Sequence, residues 1–120
     1  MFMYQPANDP NDLEKYFIER ANAGDVEGLV ALYEPDAVLV DDNGEISKGL
    51  NQIRKFFVDF LASRPQFEPS NQSAAVCSGD IALTSSTNFS NGDVTAEIAR
   101  RQPDGSWLWV VDQFSIGIKK

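Results

Sequence analysis

The chain has 120 residues, 42% hydrophobic and 11% aromatic, and its 10 basic against 18 acidic side chains give a net charge of -8. That is room for one core of ~100–150 residues, and the acidic balance excludes nucleic acid or an anionic membrane surface as partner. With no histidine and one cysteine, Cys77, Ser-His-Asp and Cys-His catalysis, His/Cys zinc sites, His-ligated haem and an intrachain disulfide are excluded, and acid–base work falls to carboxylates, Tyr, Lys or water.

Residues 1–10, with Pro6, Pro10 and several Asn/Asp, read as a flexible leader, and 11–120 as a single domain. The start lacks the basic and apolar regions of a signal peptide, and no stretch approaches the ~20 apolar residues of a membrane span, so a cytoplasmic location is expected. Asp9 or Asn11 caps a first helix to about Ala23, with Leu13, Tyr16, Phe17 and Ala21 on one face. Gly24 stops it and Asp25 caps a second helix to about Tyr33, burying Val26, Leu29, Val30 and Tyr33. Ala37 to Asp41 is a short strand, Asp42-Asn43-Gly44 a hairpin turn, and Glu45 to Lys48 the returning strand. Gly49 opens a third helix with the apolar stripe Ile53, Phe56, Phe57, Phe60 and Leu61, ended by Pro65.

From Gln66 the pattern changes to strands: Phe67–Cys77, Ile81–Ser90, Val94–Gln102 and Trp107–Ile118. Short turns at Ser78-Gly79-Asp80, Asn91-Gly92-Asp93 and Pro103-Asp104-Gly105 separate them and predict antiparallel hairpins. A strict two-residue period puts Leu108, Val110, Asp112, Phe114 and Ile116 on one face of the last strand, and Trp107, Trp109 and Val111 on the other. Apolar residues on both faces imply that one face meets the helices and the other a second subunit. Trp107 and Trp109 read as packing or dimer contacts, and Cys77 as a core strand residue. The order predicts an α+β fold, with three N-terminal helices packed on a curved, mainly antiparallel sheet.

The run Asn22-Ala23-Gly24-Asp25 with Leu29, Leu32 and Tyr33, followed by Ala37-Val38-Leu39-Val40-Asp41, is similar to the opening of ketosteroid isomerase-like proteins. Gly49…Ile53…Phe56-Phe57 and Arg100-Arg101-Gln102-Pro103-Asp104-Gly105-Ser106-Trp107…Asp112-Gln113-Phe114-Ser115 resemble the SnoaL-like branch of the NTF2-like (cystatin-like) superfamily. The resemblance runs from about Leu13 to Ile118. It implies a conical barrel enclosing a pocket for a small-molecule ligand, commonly a homodimer through the sheet, and an isomerase or lyase that needs no cofactor or metal. It also places the general base of the isomerases at Asp41. At the two positions where those enzymes carry oxyanion donors, this chain has Phe17 and Ala99. One lost donor typically costs ~10²–10³ in rate, so a steroid isomerase working through both donors is not expected.

The residues leave alternatives at each candidate. Asp41 is either a base raised by burial or part of a polar turn. Asp112 interrupts an apolar face, so it must be paired, protonated or wet; Arg100 or Arg101 on the preceding strand is the natural partner. If the face of Ala99 lines the pocket, Glu97 and Arg101 line it too, Arg101 as an anchor for a carboxylate or enolate, and Arg100 faces outward. Thr84, Ser86 and Asn88 alternate either along a polar cavity wall or on an edge strand. The ligand-binding candidates are Tyr16, Phe17, Phe57, Glu97, Ala99, Arg101, Asp112 and Phe114. A non-catalytic ligand-binding or association module is the alternative function.

Overall fold

In the computed structural model, which describes residues 4–88 and 92–116, the first two apolar stripes become α1 (Asp12–Asn22) and the short α2 (Val26–Val30). Asp9 works just ahead of α1, its Oδ1 accepting the Asn11 amide at 2.9 Å. Gly24 sits at φ 69 between the helices, a left-handed conformation that costs a residue without Cβ little. Asp25 caps α2, accepting the Gly28 amide at 2.9 Å. The second helix is shorter than its periodicity suggested: the Trp109 amide donates to Leu32 O at 2.8 Å, and the chain from Tyr33 is strand. Sheet pairing overrides local helical preference there.

Strand β1 (Tyr33–Val40) turns at Asp41–Glu45 into β2 (Ile46–Lys48), as the Asn-Gly signal predicts. The third helix is α3 (Gly49–Leu61). The expected strand over 67–77 is reduced to β3 (Asn71–Gln72) and β4 (Val76–Ser78), and that over 81–90 divides into β5 (Ile81–Thr84) and β6 (Ser86–Thr87). The division falls at Ser85, whose Oγ donates to Thr95 O at 2.7 Å. Two long strands follow, β7 (Ala96–Arg101) and β8 (Trp107–Gln113). The expected continuations through Phe89–Ser90, Asn91 and on to Ile118 reach outside the described residues.

Six strands form one sheet in the order β2-β1-β8-β7-β5-β4, and β3 pairs with β6 beside it. All neighbours are antiparallel except β1 and β8, which run parallel. The helices close one face of the sheet, α3 lying against β1, β2 and α2. Between them is the core of Leu13, Leu29, Leu39, Ile53 and Phe57, all fully buried. No helix among the described residues is long and apolar enough to cross a membrane.

One irregularity decides which side chains face that core. Ala99 pairs with Trp109 and Ile98 with Val111, so Val110 has no partner on β7. This one-residue bulge reverses the alternation of β8. Trp107, Trp109 and Asp112 are therefore all buried, at 6%, 3% and 3% exposure, and share the inner side with Phe114. The sequence expectation that the tryptophans oppose Asp112 and meet a second subunit is corrected: both are core residues. Cys77, expected in the core, is exposed on the edge strand β4.

The leader is also corrected. Ala7 is buried and bridges to Trp107, whose amide donates to Ala7 O at 2.9 Å. Arg20 holds the segment in place, donating to Gly28 O at 2.8 Å and Gln5 O at 3.0 Å. Its guanidinium lies 4.7 Å and 5.1 Å from the ring centroids of Tyr4 and Tyr16, within cation–π range.

Candidate functional site

Between α1, the end of α3 and the concave side of the sheet lies a cavity of about 210 Å³. One part of its wall is aromatic: Phe17 from α1, Phe60 from α3, and Phe67, Trp109 and Phe114. Phe17 is the hub, with ring centroids 5.8–6.1 Å from Phe57, Phe67, Trp109 and Phe114, all in edge-on contacts. Phe67 sits in an irregular stretch and is held by Asn22, whose side-chain amide accepts the Phe67 N–H at 2.7 Å and donates to its carbonyl at 2.9 Å. The Asn of the Asn-Ala-Gly-Asp turn thus replaces a strand partner for the wall.

The other part is polar: Glu14, Ser70, Ser86, Thr95, Glu97 and Asp112, with the exposed Asp42, Glu68, Asn88 and Asp93 at the mouth. Glu14 projects from α1 and accepts the hydroxyls of Ser86 at 2.6 Å and Ser70 at 2.9 Å. Glu97 and Asp112 are directly opposite each other on β7 and β8, so their carboxyl groups share one buried patch. Thr84 donates its hydroxyl to Glu97 at 2.8 Å, and Tyr33 donates to Asp112 at 2.5 Å. Burial pushes Glu97 up to about 7, against the hydrogen bonds of Thr95 and Thr84. Burial, then the charge of Glu97, raises Asp112 well above the usual carboxylate range, against the Tyr33 hydrogen bond. Tyr33 is raised by burial and by Asp112. The pair therefore holds protons that exposed carboxylates release at neutral pH.

Of the candidates named from sequence, Phe17, Glu97, Asp112 and Phe114 are brought together in this wall. Ser86 and Asn88 are there as well, which places that alternating strand at the cavity. Asp41 is elsewhere: its Oδ1 accepts the amides of Asn43 at 2.8 Å and Glu45 at 2.9 Å. It ties the hairpin turn, and its neighbour Asp42 reaches the cavity mouth instead. Arg101 lies outside, paired with Asp80 at 2.7 Å, and Arg100 pairs with Glu34 at 2.9 Å. Neither is the partner of Asp112; Tyr33 is. Tyr16 belongs to the Arg20 stack, Phe57 supports Phe17 from behind, and Ala99 is buried between Ala82 and Trp109 in the sheet.

Sequence reading missed Glu14, Tyr33, Asn22 and Phe67. Glu14 had a signal, since it is three and four residues before Phe17 and Ile18, one face of a helix and one wall of the cavity. Tyr33 had none, because its assignment to α2 hid its place in the sheet.

Comparisons with known proteins agree with this architecture. A ketosteroid isomerase-like protein from Erwinia carotovora atroseptica is 20% identical, with a TM-score of 0.68 over 90% of this chain and 94% of that one. A protein of unknown function with a cystatin-like fold from Nostoc punctiforme is 22% identical, with a TM-score of 0.69 over 88% and 86%. An NTF2-like protein from Novosphingobium aromaticivorans is 20% identical, with a TM-score of 0.65 over 85% and 75%. At these identities the likeness is one of fold. No curated protein matches the chain. The SnoaL-like domain family model matches residues 13–116, nearly the whole of the helices and sheet just described, and the chain belongs to that family.

Proposed function

We propose that this SnoaL-like domain binds a small molecule in the aromatic-walled cavity and moves a proton on it through the Glu97–Asp112 pair, in an isomerase- or lyase-type reaction. The observation that carries this reading is the pair itself: two buried carboxyl groups face each other in the cavity wall, one of them titrating near neutrality. Glu97 as carboxylate takes a proton from the carbon beside a carbonyl, and the C–H electron pair moves towards the carbonyl oxygen. Asp112, held protonated, donates a hydrogen bond to that oxygen. Glu97 then returns the proton to the conjugated carbon. A base with a pKa near the working pH is the most effective one. The role that family resemblance implies for Asp41 is thereby reassigned, because Asp41 is engaged by two backbone amides.

The test is isomerisation of 3-cyclohexen-1-one to its conjugated isomer, followed by ultraviolet absorbance. The expected rate exceeds that of buffer, rises with pH through about 7, and falls at least ~100-fold in Glu97→Gln. A rate unchanged by that substitution would overturn the assignment.

The outer sheet face favours a homodimer. Val76, Leu83, Ile98, Val111 and Val38 lie opposite one another across five strands, and Val76, Leu83 and Ile98 are 67%, 50% and 37% exposed. A continuous apolar row of this kind is what an association surface needs. Light scattering is expected to give twice the 13.3 kDa chain mass, and the double variant Leu83→Lys/Ile98→Lys a monomer. A wild-type monomer at micromolar concentration would contradict the interface.

A further inference from the structure

The cavity's charge is one-sided. Six carboxyl side chains, Glu14, Asp42, Glu68, Asp93, Glu97 and Asp112, contribute to its lining, and no Lys or Arg among the described residues does. The arginine that sequence reading offered as an anion anchor, Arg101, is outside and paired with Asp80. A carboxylate or phosphate ligand would meet no positive side chain in this lining, and an anion without a countercharge in a partly dehydrated site is strongly disfavoured.

A second feature of the same wall points to what the ligand is. Five aromatic rings line the cavity together with the carboxyl groups, and aromatic rings together with carboxylates are the surroundings an organic cation selects. Trp109, 3% exposed, is part of this wall, and its indole N–H has no hydrogen-bond partner among the described residues; a donor does not select a cation, but its signal reports on what enters the cavity. The size agrees: a cavity of ~150 Å³ admits benzene, and about 210 Å³ admits one ring with a short arm.

We propose that the cavity takes an organic ammonium ion, its positive group held by Glu14 and the acidic mouth and its ring or apolar body set against Phe17, Phe60 and Phe114. This rests on the small-molecule reading above and names the class of ligand. Glu14 is the residue that selects charge, since it enters from α1, apart from the carboxyl pair assigned to proton transfer, and its two serine contacts hold it in the wall.

The test uses three probes of one shape on the whole chain: 2-phenylethylammonium, 2-phenylethanol and 3-phenylpropanoate. Each is titrated at pH 7 while the two tryptophan indole N–H signals are followed by NMR. The ammonium is expected to bind at least about tenfold more tightly than the alcohol, the carboxylate not at all, and the Trp109 signal to move while that of Trp107 stays. Glu14→Gln is expected to lower ammonium affinity about tenfold and leave the alcohol unchanged. Equal affinity for alcohol and ammonium would overturn the cation assignment and leave the small-molecule reading standing. If no probe binds, both fail. Ammonium binding that leaves the Trp109 signal in place would put the site elsewhere and overturn the proposal as well.

Discussion

Glu97→Gln is expected to stabilise the protein at pH 8 by about 3 kcal/mol, raising Tm by about 10 °C, and to leave it nearly unchanged at pH 4. The reason is the elevation of Glu97 from an ordinary 4.5 to about 7. Between those two values the unfolded chain has lost the proton and the folded chain keeps it. The folded state therefore binds more protons, and its stability falls as pH rises through that window. Above about 7 the whole penalty is present, because a carboxylate is then held in the buried patch opposite Asp112. Glutamine never ionises, yet its carbonyl still accepts from Thr84. Asp112, raised in the same direction, adds to the wild-type loss. Thermal melts of both proteins between pH 4 and pH 8 would measure this. Parallel curves with a constant offset would show that Glu97 ionises no differently in the folded state.

Phe57→Ala should cost 3–5 kcal/mol, roughly the range for an aromatic ring removed from a core, as read from urea denaturation. Phe57 is fully buried and touches Phe17, Tyr33, Phe56 and Phe60 with centroids 5.2–6.3 Å apart. Its loss removes the support of Phe17, the hub of the cavity wall, and of Tyr33, the donor to Asp112. Val58→Ala, one residue on and 53% exposed, is expected to change stability by less than ~0.5 kcal/mol. A comparable loss from both would mean that α3 is not seated on the sheet by the Phe57 face. A ring so placed acts on the site through Phe17 and Tyr33 and not as the ligand contact expected from sequence.

Much of the fold can be read from the residues in order. The stripe Ile53, Phe56, Phe57, Phe60 and Leu61 makes α3, Asn43-Gly44 makes the first hairpin, and Pro103-Asp104-Gly105 joins β7 to β8. Turn chemistry and helical periodicity are local, so they survive without tertiary context. Asp112 also announced itself, as a carboxylate in an apolar strand that had to be paired, protonated or wet.

The site itself was only partly readable. Composition determined by itself that histidine and disulfide chemistry are unavailable and that acid–base work falls to carboxylates, Tyr, Lys or water. Local pattern determined the α+β order. Tertiary structure alone decided which of these groups stand together in the cavity wall. The unpaired Val110 reverses the facing of β8, bringing Trp109 and Asp112 to one side and Glu97 opposite Asp112. Asp41 is drawn into its turn by two amides, and the arginines are drawn out to Glu34 and Asp80. A bulge is set by pairing between strands, and a buried charge by what the whole fold places around it. Neither is contained in the spacing of residues along one strand.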